Sequence, residues 1–174
     1  MHRKILIAFL LGSWSAATVF IWAMAAQNFR LVDKLLSSPA PQFQARISPL
    51  APSDARLLMR YQASELNRLF FWRWGAVQLA LGAILSLLLW KPPADRFLRI
   101  AALLMLLLAA VLQFLVVPET VRLGRLLDFA ARSPAPPWEA PFWRLHHAYT
   151  ALDMLKFLIG IAATGRMLRA GQVH

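Results

Sequence analysis

Apolar residues gather in four runs, at residues 5–26, 69–90, 97–117 and 142–168, while prolines, charges and small polar residues fill the intervals. Each run can cross a bilayer, because about 20 apolar residues rising about 1.5 Å apiece span a hydrocarbon core of about 30 Å. Backbone amides find no water there, so all four are predicted to be helices. No alternating strand pattern competes with them. The expected fold is all-α, a single membrane domain over residues 1–174: a bundle of four transmembrane helices with amphipathic extensions and Pro-rich loops.

The intervals divide the chain further. Residues 91–95, KPPAD, predict a tight turn, since two prolines cannot continue a helix. The second and third runs are therefore expected to form an antiparallel hairpin. Residues 37–53 and 132–141 are rich in Pro and are expected to be irregular. Three amphipathic pieces flank them. The first sets Phe29, Val32 and Leu36 on one face; the second starts at Ser53 as a candidate N-cap and carries Leu57, Leu58 and Tyr61. In the third, after Pro118, Glu119 can pair with Arg122 and Arg125 with Asp128 at a spacing of three. All three read as extensions of the spanning helices at or beyond the headgroup layer.

Composition sharpens this picture. The chain is 59% hydrophobic, too apolar for an ordinary soluble domain of 174 residues. Nineteen Lys and Arg against eight Asp and Glu give a net charge of +11. The cations lie beside apolar runs instead of forming a soluble basic face, so the expected counterpart is anionic lipid headgroups and not nucleic acid. The dominance of Arg among the cations, with abundant Ala and Leu, suggests a GC-rich bacterial genome and hence the inner (cytoplasmic) membrane, crossed several times. The absence of Cys excludes disulfides, thiolate metal sites and cysteine nucleophiles.

The first run also has the outline of a signal peptide, with MHRK before it and Ala23, Met24 and Ala25 as a small-residue cleavage site. Its apolar length exceeds the 7 to 15 residues or so of a signal core, which favours a retained helix. Raw counts of Lys and Arg place the large loops in the cytoplasm. Cation density in the short segments, and the anchor-like start, favour both termini inside, which is the expected orientation.

The last run is unusual because it holds ionisable residues. Asp153 stands at its midpoint, where an isolated carboxylate costs roughly 2.5 to 3.5 kcal/mol, so it should face protein. His146, Thr150, Asp153, Phe157 and Gly160 fall within about 80° of one helical face. Lys156 lies at the edge of that stripe, in position to neutralise Asp153. Gln78 in the second run and Gln113 in the third offer polar partners. Gly12 and Ala16 with Ser15, Gly75 and Gly82, and Gly160 stand at spacings that suit close helix contact. Midplane ionisable groups tend to mark solute or proton paths, whereas buried amides and hydroxyls are more often structural.

Candidate cofactors are few. A haem needs a second axial ligand, and His2 and His174 at the chain ends are the only histidines besides His146 and His147. Haem is therefore disfavoured, while a pigment with one axial ligand at His146 or His147 stays compatible. No metal site is expected. Seven Trp, at 14, 22, 72, 74, 90, 138 and 143, cluster near span ends as in aromatic belts. Phosphate loops, metalloprotease helices and nucleophile elbows are absent, so no enzyme is expected.

Residues 142–153, FWRLHHAYTALD, with VVPETVRLGRLL after the third run and LNRLFFWRWGAVQLALG leading into the second, resemble a family of bacterial four-helix membrane proteins of unknown function. That family is related to the eukaryotic transmembrane family linked to cisplatin resistance. It shares an aromatic and basic approach to the last helix, a Leu-His pair, a small hydroxyl residue, and an Asn seven residues beyond the His. Leu145, His146 and Thr150 match; Asp153 replaces the Asn, and Pro118 matches a proline that ends the third helix. The resemblance implies the fold more than an activity. The missing Cys removes the thiols through which soft metals are proposed to move in the eukaryotic relatives. Two functions are thus in view: a scaffold or accessory subunit of a larger membrane complex, with other membrane subunits as partners, or a small carrier with a polar path around Asp153.

Overall fold

The computed structural model describes residues 2–92, 95–131 and 133–171. Pro93, Ala94, Arg132 and His174, on which some of the sequence expectations fall, lie outside the described residues. Six α-helices and no strand occur among the described residues: α1 (His2–Ser37), α2 (Pro41–Ile47), α3 (Pro52–Trp90), α4 (Arg96–Val111), α5 (Val117–Asp128) and α6 (Glu139–Gly171). A π-helical turn, Leu112–Val116, joins α4 to α5. Three helices are long and apolar enough to cross a membrane: His2–Ser37, Pro52–Trp90 and Arg96–Asp128. The fourth, α6, has the length, but Asp153, Lys156 and two histidines dilute its apolar run.

The long helices pack in cyclic order, α1 against α3, α3 against α4, α4 against α6, and α6 back on α1. The core between them is Leu11, Trp14, Leu85, Leu89, Ala101, Ala102, Met105 and Ala109, all nearly inaccessible. Outside, large apolar side chains such as Phe9, Phe20, Leu87, Leu107, Phe114 and Leu158 are exposed. A soluble protein rarely presents so much apolar surface, whereas acyl chains cover it without cost.

Small residues set the helix separation at particular places. A Cβ added at Gly82 would lie 3.0 Å from Leu106 Cβ and 3.2 Å from its Cα, so α3 and α4 nearly touch there. At Gly160 it would meet Met105 Cε at 3.2 Å and Ser15 Oγ at 3.4 Å, and at Gly75 it would collide with the Gln113 amide. Gly12 and Ala16 do not act this way: a Cβ at Gly12 meets nothing within 4 Å, and Ala16 is exposed. The contact face of α1 is instead Leu11, Trp14, Ser15 and Thr18, one register step away.

Prolines begin and bend helices more than they end them. Pro41 and Pro52 occupy the first turns of α2 and α3, behind Ala40 and Ala51 in the extended geometry that a following proline favours. Residues 37–53, expected to be irregular, therefore hold a seven-residue helix. Ser53 lies inside the first turn of α3; Ala51 is its N-cap. Pro118 does not end the third helix either. The π turn just ahead routes the Val117 N–H to the Leu112 carbonyl, and the Thr120 hydroxyl donates to Val116 O at 2.8 Å, so the chain continues through the proline.

Both ends of the bundle are tied by polar contacts. At the turn end Asp95 caps α4, accepting from Phe97 N at 2.8 Å, and takes the Arg166 guanidinium at 2.8 Å. That guanidinium, opposed in part by desolvation and aided by the two capping amides, holds the Asp95 carboxyl below its ordinary range. At the loop end α1 and α3 run antiparallel beyond the apolar segments, joined by Asp33 with Arg56 at 2.5 Å and Asn28 with Asn67 at 2.5 Å.

Gly82→Ala is expected to force α3 from α4 and lower stability by about 1 to 3 kcal/mol, the usual cost of overpacking. Gly12→Ala, facing open space, should stay within about 0.5 kcal/mol of the parent or gain from helix propensity. Thermal unfolding of both variants in detergent measures the contrast.

Candidate functional site

The helical repeat turns Tyr149, Asp153, Lys156, Gly160 and Ala163 of α6 toward the other helices. Asp153 is 1% exposed and Lys156 0%. Lys156 Nζ donates to Asp153 Oδ1 one turn away, and it also donates to Gln78 Oε1 on α3. Trp22 Nε1 of α1 donates to the other carboxylate oxygen, Oδ2, at 2.6 Å. The Trp22 ring packs on Phe157, centroids 5.3 Å apart. Every oxygen of the carboxylate therefore has a donor, and the ammonium has two acceptors.

This arrangement closes three helices on one point. Lys156 reaches across the bundle to the diagonal helix α3, while Trp22 approaches from the neighbouring α1. Taking a carboxylate and an ammonium out of water costs several kcal/mol per ion; close pairing and the two further hydrogen bonds offset it. Both side chains are sealed from the outside by the surrounding helices. Two adjoining hollows at the loop end of the bundle, which share Phe142 and His146, are lined by neither Asp153 nor Lys156.

The other residues singled out in the sequence are distributed differently. Gln78 joins the buried group; Gln113 lies apart, its amide nitrogen 3.4 Å from Trp72 O and its oxygen buried without a partner. Thr150 is exposed and donates to its own helix, to His146 O at 3.0 Å. The stripe through His146 and Thr150 is thus off by part of a turn: the inward line runs through Tyr149. His146 stacks on Phe142 at 5.9 Å near the loop end, and His147 faces outward beside Trp143. Among the described residues no three His, Asp or Glu side chains converge in a way that could hold a metal.

Two features were not visible in the sequence. Trp22 reads as a belt residue, and only the antiparallel register of α1 with α6 sets it against Asp153; Trp14 and Trp74 likewise are core, 1% and 7% exposed. The second is an ion cluster at the loop end. Arg68 binds Asp128 through two nitrogens, at 2.8 and 2.9 Å, and Glu65 at 2.6 Å. Arg125, expected to pair with Asp128 along its own helix, reaches Glu65 at 3.2 Å instead. Glu119 and Arg122 do pair as their spacing suggests, at 2.7 Å.

Comparison of the chain with protein-family models, with curated proteins and with solved structures finds no match.

Lys156→Met leaves the Asp153 carboxylate buried with Trp22 as its remaining donor, and should destabilise the protein by about 3 to 5 kcal/mol. Asp153→Leu combined with Lys156→Met removes both charges and should recover most of that loss. Unfolding of the single and double variants in detergent tests this; equal destabilisation of both would show that the two charges do not depend on each other.

Proposed function

We propose that this chain is a non-catalytic protein of the inner membrane, crossing it four times through α1, α3, the α4–α5 helix and α6, and serving as a scaffold or accessory subunit of a larger membrane complex. The closed state of the Asp153–Lys156 pair carries this reading. A carrier needs hydrated access to the ionisable group it uses. Here both charges are buried and paired and Thr150 lies on the outer surface, which favours the subunit reading over a polar path. The pair makes α6 acceptable in lipid despite its modest hydropathy, because the cost of an ionisable residue falls once it is paired inside a bundle.

The lengths of α1 and α3 point the same way. At about 1.5 Å per residue, α1 and α3 extend to roughly 54 and 58 Å, well beyond a hydrocarbon core of about 30 Å. Their excess, with α2 across the tip, is an antiparallel hairpin held out from the membrane, a shape suited to contact with another subunit. Its surface carries Arg30, Lys34, Arg46 and Arg60, all exposed. The same segments suit anionic headgroups at their base. On the resemblance of its last helix we place the chain, as a proposal, beside the bacterial four-helix proteins; the long Pro-rich connection between the first two spans departs from them and is read as an added contact surface.

Because the chain lacks Cys, single cysteines can report its topology directly. With four crossings, Gln42→Cys and Ala135→Cys should react with an impermeant maleimide from one side of sealed vesicles, and Lys91→Cys and Arg169→Cys from the other. Labelling at position 169 from the same side as 135 would remove the fourth crossing.

The subunit role has its own test. Purification of the intact chain in mild detergent, followed by mass spectrometry, should yield one companion membrane protein in fixed stoichiometry. A lone monomer or homodimer overturns the subunit reading.

A further inference from the structure

At the loop end of the bundle, where α1, α3, α5 and α6 meet, lies a cavity of about 160 Å³. Its walls are mainly apolar, among them Phe29, Phe71, Phe142 and Tyr149, with Val117 and Val121. The Phe71 and Tyr149 rings meet edge to face at 5.2 Å, which fixes one side. A cavity of about 150 Å³ with apolar walls accommodates one benzene ring. A second hollow of about 410 Å³ shares Phe29, Ser64, Arg68, Phe142 and His146 with the first, so the two adjoin. The shape is a slot for one ring, adjoining a wider hollow that Arg60, Arg68 and Asp128 also line.

The polar groups in the slot fall into two sets. Asn67 is committed to Asn28 and to Ala25 O, Thr120 to Val116 O, and Arg68 to Asp128 and Glu65. The charge of Arg68 is thereby cancelled within the protein, which disfavours an anionic occupant. The hydroxyls of Ser64 and Tyr149 and the ring nitrogens of His146, by contrast, make no hydrogen bond among the described residues. All three side chains line the cavity. Little polar surface faces the cavity, so these three groups are its candidate donors to a ligand oxygen.

We propose that this cavity binds an uncharged, lipophilic single-ring compound bearing hydrogen-bond-accepting oxygens, the chemistry of a membrane quinone headgroup. The ring lies between Phe29, Phe71 and Phe142, its carbonyl oxygens face Tyr149, Ser64 and His146, and its tail leaves toward the acyl chains. A few polar groups on an otherwise apolar wall fix the orientation of such a ligand. Binding of this kind needs only the cavity, whether or not the chain has a companion.

Titration of the full chain in detergent with decylubiquinone, followed by calorimetry, tests the proposal. One saturable site per chain is expected. Decylbenzene, which has ring and tail without the oxygens, should bind at least about tenfold more weakly. Tyr149→Phe keeps the ring and removes the hydroxyl, and should weaken decylubiquinone about tenfold, in line with the loss of one buried hydrogen bond. Val121→Trp, which fills the slot, should abolish binding, provided its helical circular dichroism matches the parent; Tyr149→Phe decides the matter if it does not. Absence of saturable binding overturns the proposal, as does decylbenzene binding equally well. So does displacement of decylubiquinone by phosphatidylglycerol at comparable concentration, which would make the cavity a lipid groove.

Discussion

A carboxylate and an ammonium, one turn apart on α6 and sealed from solvent, constrain how the long helices can be arranged. In lipid the apolar exteriors of the helices have no reason to associate, because acyl chains solvate leucine as well as another helix does. Asp153 and Lys156 do have a reason. Exposed to hydrocarbon, each costs a few kcal/mol; enclosed with Gln78 and Trp22, each has partners in directions that only one placement of α1 and α3 provides. The small-residue contacts work with this. Gly160 lies one turn beyond Lys156 and admits Ser15 of α1 and Met105 of α4, so the helices close just where the charges need excluding from solvent.

The ion pairs at the two ends have a different character. Asp95 with Arg166 joins the hairpin turn to α6, and Glu65, Arg68, Arg125 and Asp128 join α3 to α5. Most of these side chains remain partly accessible, so their separate contributions are modest. Arg68 with Asp128 is the exception. Its two parallel hydrogen bonds and low exposure make it geometrically strict, and it fixes the angle at which α5 leaves the π turn. The insertion of that turn before Pro118 has a physical purpose in this context: it shifts the helical phase, so that Leu123 and Leu127 face inward and Asp128 faces Arg68.

Hydropathy makes the helices legible, and the midplane position of Asp153 already implies burial against protein. Proximity along one helix also exposes the pairing with Lys156. Legibility stops where an answer depends on two helices at once. Trp22 sits near a span end like any belt tryptophan; it can be matched to Asp153 only when the register of α1 and α6 is known, a register in which Gly160 packs against Ser15. Arg125 has an acid at helical spacing, yet a better-placed acid on another helix takes it. Thr150 fails for a local reason: a mean rotation of about 100° per residue leaves an ambiguity of one position at the edge of a face, and its hydroxyl finds an acceptor in its own backbone. Prolines mislead because the same lack of an N–H that breaks a helix interior is harmless in a first turn.

The closed pair and the aromatic cavity share α6, with Tyr149 one turn from Asp153. This proximity has a structural consequence. The pair ties α6 to α1 through Trp22 and to α3 through Gln78, and the Phe71–Tyr149 contact that walls the cavity lies one turn away. A slot whose walls are set by a rigid scaffold loses little entropy on filling. The buried charges therefore help to place the Tyr149 wall of the cavity, one turn away on the same helix.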